Sequence, residues 1–481
     1  MDRTFAGARI RALRSERGLS QVELARVLEI SASYLNQIEH NVRPLTVPVL
    51  LRISEAFGLD AGFFATQDTT RLVAELSEVL SEADPASHVS AAEIAEVATN
   101  SPAVAHAVLA LHRRYRGLSD QLATVSRDHP EQMSLMPHEE VRDFFYDRGN
   151  YLDALDRAAE ELFRQVDAVG GRRRDALVQR LKARGVSVVV ADAESSGGQD
   201  DRAGALGAAD DVLSWFDRDH RVVHLAARLD EGQQVFRLAH QLATLDLAAE
   251  IKAAAQDVAF HDPQAYDLLG IGLANYAASA MVLPYGRFRE SAEELHYDIE
   301  RLASRFGIGF ESTCHRLSTL QRPRARGVPF TFVRVDRAGN MSQRQSATSF
   351  HFSRAGGTCP LWAVYEAFAT PGKVLTQVAE MPDDRRYLWV ARTVFRSPRR
   401  YGAPGKLFAV ALGCETRHAG RLVYSSGIDV RDPRGATPIG VGCKVCERTT
   451  CPQRAFPQLG RHLAVDPDRG TFVPYPIDPA T

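Results

Sequence analysis

Three of the six cysteines of this 481-residue chain stand within nine positions, Cys443-Lys-Val-Cys446-Glu-Arg-Thr-Thr-Cys451, a C-x2-C-x4-C spacing. Thiolates so close together are strong donors that lose their protons on coordination, and a two-residue gap lets neighbouring sulfurs converge on one ion or cluster. Clustered cysteines also serve as disulfide staples, but that use belongs to small secreted chains. This chain opens Met-Asp-Arg-Thr with no apolar leader-like run and is long enough for several cores. The expectation is a metal or cluster site. A second candidate is His240, in the helical stretch QVFRLAHQLATL. Two histidines four apart on one helical face, with Glu after the first, would hold zinc and activate water. The three positions here read His240, Gln241 and Thr244, so one ligand and the general base are absent. A lone histidine cannot hold catalytic zinc, so His240 is expected to be an interior histidine and no catalytic residue is assigned.

Three clustered sulfurs leave a fourth ligand to find. Cys359 is the choice, in the Gly-rich turn AGGTCPLW before Trp362; Cys414, at the end of a predicted strand, is second and Cys314, on a predicted helix, third. Four thiolates suit tetrahedral zinc or an iron–sulfur cluster. Structural zinc more often uses two C-x2-C pairs, whereas a triplet with one remote cysteine is more typical of clusters. The spacing leans to iron–sulfur and leaves zinc open.

The elements that position these groups follow from periodicity. In residues 1–65, Ile10, Leu13, Leu24, Leu28, Leu35, Ile38 and Ile53 recur at helical spacing and predict four or five short helices. Ser20 and Glu23 form an S-x-x-E capping box, and only the few residues from Glu29 to Ser31 separate the second helix from the third, the geometry of a helix-turn-helix. The third helix runs through Ser31, Ala32, Ser33, Tyr34, Leu35, Asn36, Gln37, Ile38 and Glu39; Leu35 and Ile38 point inward, and Ser33, Asn36 and Gln37 outward, where amides and hydroxyls read base edges. Gln21, Asn41 and Arg43 are placed to grip phosphates. Eight Arg against seven acids in residues 1–60 would not have announced DNA; the pattern does. The stretch RIRALRSERGLSQVELARVLEISASYLNQIEHNVRP resembles the XRE family of DNA-binding domains, which implies a double-stranded operator bound by a homodimer or higher homo-oligomer.

Residues 66–150 keep a helical period and read as a connector that could carry the dimer contact, with a hinge at Ser126 to Gln132. Residues 151–320 begin with two helices, the second opened by Arg172, Arg173 and Arg174; a strand at Val188 to Val190, a loop over 191–210, a hairpin at Val212 to Leu225 and the His240 helix follow. The segments GIGLANYAASAMVLPYGRF and LHYDIERLASRFGIGFESTCHRLSTLQR resemble the ImmA/IrrE peptidases, in which an acidic ligand precedes the Ala-Asn pair; Gly270 to Leu273 supply none. The resemblance implies a zincin-like scaffold that keeps its cleft without its chemistry, a natural place for a ligand.

From Arg316 to Arg354 there are eight Arg and a single acid, a bias that points to a polyanion. DNA is one; a phosphorylated small molecule such as a coenzyme A thioester is preferred, with Arg172, Arg173, Arg174, Arg322, Arg324 and Arg326 as the phosphate contacts. Predicted strands at 349–353, 374–378, 387–394, 407–412 and 422–424 make residues 321–481 an α+β domain. With GGTCPLW, MPDDRRYLW, ALGCE and PIGVGCKVCERTTCPQRAFP, nearly the whole chain resembles regulators of short-chain fatty-acid metabolism of the RamB and PrpR type. That resemblance implies a transcription factor for acetate, glyoxylate or methylcitrate-cycle genes that binds acyl-CoA and, in PrpR-like members, carries a 4Fe-4S cluster. The fold expected is multidomain: an all-α helix-turn-helix head, a helical connector, a degenerate zincin-like α+β core and an α+β cysteine domain. No run of eighteen apolar residues occurs, so a cytoplasmic protein without a membrane span is expected. The alternatives are an ImmA-like metalloprotease, or a regulator whose cysteines hold only structural zinc.

Overall fold

The computed structural model describes residues 7–39, 42–43, 45–57, 67–83, 89–125, 137–168, 172–191, 212–256, 258–348, 350, 359–396, 402, 405–444, 446–458, 461–473 and 475–477. The chain divides into two compact units, one of residues 1–133, 349–359 and 440–481, the other of residues 134–348 and 360–439.

In the first unit, α1 (Gly7–Glu16), α2 (Gln21–Val27), α3 (Ala32–Glu39) and α4 (Val47–Phe57) close over Ile10, Leu13, Leu24, Leu28, Leu35, Ile38 and Ile53. The capping box forms as expected: Ser20 Oγ accepts the Glu23 N–H at 3.3 Å and Glu23 Oε2 accepts the Ser20 N–H at 2.7 Å, satisfying two of the donors that a helix start leaves open. A second bundle of α5 (Gln67–Ala83), α6 (Ala91–Asn100) and α7 (Pro102–Val125) buries Leu72, Leu76, Ile94, Ala98, Ala105 and Leu109.

The second unit starts with α8 (Pro137–Asp147), α9 (Asp153–Asp167) and α10 (Arg173–Ala183), then a small sheet of β1 (Ser187–Ala191), β2 (Ser214–Asp217) and β3 (Val222–Ala226) in the order β1-β3-β2. β1 runs parallel to β3 and β2 antiparallel to it. Helices α11 (Glu231–Asp246), α12 (Ala248–Ala254), α13 (Pro263–Val282), α14 (Tyr285–Glu294), α15 (Ile299–Phe306) and α16 (Phe310–Ser318) follow. A second sheet combines β4 (Thr331–Val335), β5 (Met341–Ser346), β6 (Leu375–Glu380), β7 (Arg386–Arg396), β8 (Lys406–Glu415) and β9 (Thr437–Pro438) in the order β5-β4-β8-β7-β6-β9, with the short α17 (Ala363–Glu366) before β6.

Three sequence expectations are corrected. The core does not divide at residue 320: Leu317, Leu320, Phe330, Phe332, Leu388, Val390, Val410 and Leu412 share one apolar cluster with α9, α11 and α13. Apolar pattern locates each element but not which elements share a core. Helix α8, placed in the connector by the expected boundary at 150, belongs to this unit through buried Phe144. Leu422 to Tyr424 is not a strand; 3₁₀ turns occupy Thr416–Arg421 and Val423–Ser425. Its polar groups bond to the α14–α15 connection instead, Val423 N–H donating to the His296 carbonyl at 2.8 Å and Tyr424 Oη accepting the Ile299 N–H at 2.9 Å. The hinge expected at 126–132, the loop expected at 191–210 apart from residue 191, and the strand expected at 349–353 apart from residue 350 lie outside the described residues.

A buried charge network ties this unit together. Asp156 of α9 and Arg316 of α16 are both fully buried. Arg316 donates to Asp156 at 2.6 and 3.3 Å and to the Leu283 carbonyl at 2.9 Å, while Tyr276 Oη donates to Asp156 at 2.9 Å. Arg322 adds a bond to Asp156 at 3.0 Å and one to Glu160 at 2.9 Å. Charges survive burial only when they are paired and their remaining donors satisfied, as here.

Candidate functional sites

Helix α3 of the head is held by its inward side. Ser31 Oγ accepts the Tyr34 N–H at 3.1 Å, starting the helix, and Leu35 and Ile38 enter the core. Buried Glu39 accepts from Arg14 Nε at 2.8 Å and from Gln21 Nε2 at 2.9 Å, so α1, α2 and α3 meet on one carboxylate. The same Gln21 nitrogen donates to Asn36 Oδ1 at 3.1 Å. Both amide protons of Gln21 are therefore engaged, which corrects its assignment as a phosphate grip: it orients Asn36. Ser33 and Asn36 are exposed and Gln37 half-buried, while Ala32 and Tyr34 also pack on the head core. The Arg43 guanidinium lies 5.8 Å from the Tyr34 ring centre and stays exposed at the end of this surface. Asn41 lies outside the described residues. Neither Glu39 nor Arg14 was read as functional from sequence, although E at the end of α3 matched the XRE pattern.

Amides at such positions discriminate bases by about 1–3 kcal/mol each. Asn36→Ala is accordingly expected to weaken operator binding about tenfold or more with little loss of fold, because Asn36 is exposed. Fluorescence anisotropy at one fixed salt concentration, beside thermal melting of the same variant, checks it.

The phosphate contacts expected from charge clustering part company. Arg322 is committed to Asp156, Glu160 and Tyr151 Oη, the last at 2.8 Å, and lies over the Tyr285 ring. Arg173 donates to the Val282 and Phe306 carbonyls at 3.3 and 3.1 Å, and Arg174 to Gln234 Oε1 at 2.7 Å. These three serve the fold, because sequence clustering records charge but not the distant acceptors that neutralise it. Arg172, Arg324 and Arg326 are exposed.

On α11, the buried side is Val235, Leu238, Ala239, Leu242 and Ala243. His240 is half-buried on another face, with its pKa below the ordinary value because burial disfavours the cation and Arg237, one turn earlier, repels it. Thr244 Oγ1 donates back to the His240 carbonyl at 2.9 Å. Among the described residues no group of three or more His, Cys, Asp or Glu is placed to hold a metal ion.

The six cysteines separate by unit. Cys314 and Cys414 are buried in the second, where burial pushes the Cys414 thiol up to about 12 and the Cys314 thiol well above its usual range. Cys359 falls in the first unit with Cys443, Cys446 and Cys451. Arg454, itself buried, shapes the triplet loop by donating to the carbonyls of Cys443 at 3.0 Å, Cys446 at 2.9 Å and Arg448. Ala455 N–H points at Cys443 Sγ at 3.5 Å. Burial raises the Cys446 pKa, against which the Arg448 N–H and the charges of Arg454 and Arg448 favour its thiolate. A Cβ at Gly440 would meet Cys446 Sγ at 2.5 Å, so only glycine lets the chain pass there. Three thiols on a loop lined by N–H groups and guanidiniums have the chemistry of an anionic thiolate-held group, but with Cys359 they do not gather round one centre among the described residues. The sequence offered a signal for Arg454, three positions after Cys451, that sequence reading left unused.

A helix-turn-helix head joined to a peptidase-like scaffold with its metal ligands replaced defines a DNA-binding regulator. Residues 10–64 match the helix-turn-helix family model, residues 182–318 the IrrE N-terminal-like domain, and residues 319–475 the short-chain fatty acyl coenzyme A regulator, C-terminal. The chain belongs to the family of the HTH-type transcriptional regulators RamB and PrpR. It is 54% identical over 482 residues to RamB of Mycobacterium tuberculosis (strain CDC 1551 / Oshkosh), covering 99% of each chain, and 47% identical to PrpR of M. tuberculosis (strain ATCC 25618 / H37Rv), covering 98% of this chain and 96% of that one. The propionyl-CoA carboxylase regulator of Cereibacter sphaeroides is 41% identical, with 98% of both chains covered. A solved structure, a Mycobacterium tuberculosis transcriptional regulator, matches with a TM-score of 0.65 at 48% identity, covering 71% of this chain and 99% of that one. Among the described residues no single helix is long and apolar enough to cross a membrane.

Proposed function

We propose that this regulator binds operators of short-chain fatty-acid genes and that a short-chain acyl-CoA, held on the peptidase-like scaffold of the second unit, sets its operator affinity. The observation that carries this reading is that residues 182–318 match the IrrE-like domain and α11 packs on α13, yet the metal positions hold His240, Gln241 and Thr244. A peptidase-like domain without its catalytic groups suits a ligand. To act, the ligand must bind the DNA-competent and incompetent states unequally. The same reading gives Cys443, Cys446 and Cys451, with Cys359, a 4Fe-4S cluster; when bound, such a group supplies a one-electron, oxygen-sensitive centre. Zinc on the same thiols is the second reading, because four thiolates also suit a tetrahedral zinc.

The test uses the full chain purified without oxygen. Propionyl-CoA is expected to shift both melting temperature and operator affinity, and no shift in either overturns the effector. Iron and sulfide are expected in near-stoichiometric amounts and lost in Cys446→Ser; zinc without iron overturns the cluster.

Self-association through α7 belongs to the same proposal, with a second copy of the chain as the occupant. Val104, Val108, Leu111, Tyr115, Leu118, Leu122 and Val125 repeat at alternating four- and three-residue spacing, and Val104, Leu111 and Tyr115 are exposed. In a parallel pair the flanking positions would set Arg114 against Ser119, with no like charges opposed. Leu111→Glu is expected to yield monomers in analytical ultracentrifugation and weakened operator binding; an unchanged dimer removes this contact.

A further inference from the structure

Helix α2 ends at a turn that would suit glycine and is occupied by glutamate. Glu29 stands in the left-handed region, with φ at 52°. Its N–H donates to the Arg26 carbonyl at 3.2 Å, and the Ile30 N–H reaches back to the Ala25 carbonyl at 3.0 Å, the paired bonds with which a helix closes on a left-handed residue. An L side chain crowds the following carbonyl oxygen in that region, so Glu29 stays there because something else holds it. Two residues later Ser31 starts α3 by accepting the Tyr34 N–H. The direction of α3 against α2 is therefore set at Glu29.

The brace comes from α4. Arg52 Nη1 donates to the Leu28 carbonyl at 3.0 Å and to the Glu29 carbonyl at 3.0 Å, the acceptors at which α2 has run out of helical N–H donors. Val49 and Ile53, on either side of Arg52 in α4, are buried in the head core with Leu28, which fixes the helix that carries the guanidinium. Arg52 Nη2 also lies 3.8 Å from the Glu29 carboxylate, with the two side chains 43% and 78% exposed. An exposed ion pair at that distance contributes little, whereas a charged donor on a carbonyl makes a bond roughly twice as strong as a neutral one. The holding contact is thus with the backbone of the turn.

We propose that Arg52 is a positioning residue for operator recognition: it locks the α2–α3 turn and, through it, the angle at which Ser33 and Asn36 are presented to base edges. Arg52 acts through α3 and not by contact with DNA. Reading a base edge depends on the orientation of the recognition helix, whereas attraction to phosphates carries no sequence information. Loss of the lock therefore falls on specific binding more than on general affinity.

The experiment uses the full chain and two duplexes: the best binder selected by the wild type from random sequence, and a scrambled duplex of the same composition. Both affinities are measured by fluorescence anisotropy at one fixed salt concentration. Their ratio is the readout, because a lost surface cation lowers both alike. Arg52→Met is expected to reduce the ratio about tenfold, with Arg52→Lys between it and the wild type. Adding Glu29→Gly to Arg52→Met should restore most of the ratio, since glycine holds a left-handed turn without a brace. Hydrogen exchange, followed by mass spectrometry on peptides within residues 28–39, should quicken in Arg52→Met and slow again in the double variant.

An equal loss on both duplexes makes Arg52 a phosphate-attracting charge and overturns the proposal, as does an unchanged ratio. Exchange that quickens throughout residues 7–57 in Arg52→Met would show a residue that holds the whole head, and the proposal falls. If the double variant regains slow exchange but not the ratio, Arg52 reads the DNA itself and is not a positioning residue.

Discussion

Asp156→Ala is expected to lower the unfolding free energy of the second unit by about 3–5 kcal/mol, the cost of breaking a buried ion pair from one side. Arg316 would keep its charge with full burial and lose its 2.6 Å partner, while Tyr276 and Arg322 would each lose an acceptor. Urea unfolding followed by tryptophan fluorescence reports on this unit, which holds Trp215, Trp362 and Trp389. The double variant Asp156→Ala with Arg316→Met should recover most of the loss, because the expensive species is the orphaned guanidinium. An Asp156→Ala midpoint equal to wild type would mean that the helices hold without the pair.

Acid is expected to weaken the same unit through His315. Its ring is partly buried on α16, and burial, with help from Arg316 and Arg334 against Glu311, lowers its pKa from 6.5 to about 4. Gln345 explains how the neutral ring is held. The Gln345 amide nitrogen lies 2.9 Å from His315 Nε2 and, as placed, donates to the neutral ring. Below pH 6.5 the unfolded chain binds a proton that the folded chain refuses. The contribution is therefore complete above pH 6.5 and is lost as pH falls towards 4, by roughly 3 kcal/mol over the window. Unfolding curves at pH 7.0, 5.5 and 4.5 check the slope. In His315→Gln, which keeps an acceptor for Gln345, the slope should flatten; if it does not, the proton binds elsewhere.

What could be read from sequence follows the range over which each feature is decided. The head was legible because Ser20, Glu23 and the apolar spacing from Leu24 to Ile38 act within a few residues of one another. The cysteine triplet shows in its spacing for the same reason, though spacing does not say what it holds, and the departure from the zinc motif after His240 could be counted directly. Arg322 was misread because the carboxylates that claim it lie on α9, more than 160 positions earlier. The boundary expected at residue 320 falls where the two family models meet, but the shared core across it could not be read: Leu317 and Leu320 end one apolar pattern and Phe330 starts another, and only the folded chain shows them in one cluster.

The large sheet has one further consequence, for solubility. Its outer strands are poor templates for a second chain: β5 reads Met-Ser-Gln-Arg-Gln-Ser and shifts register against β4 at Arg334/Val335, and β9 is two residues long and ends on Pro438. Polar, short and proline-bearing edges discourage strand-to-strand aggregation. The sheet is thus closed to growth, and self-association of the kind proposed for α7 is left to helices, where register and copy number can be limited.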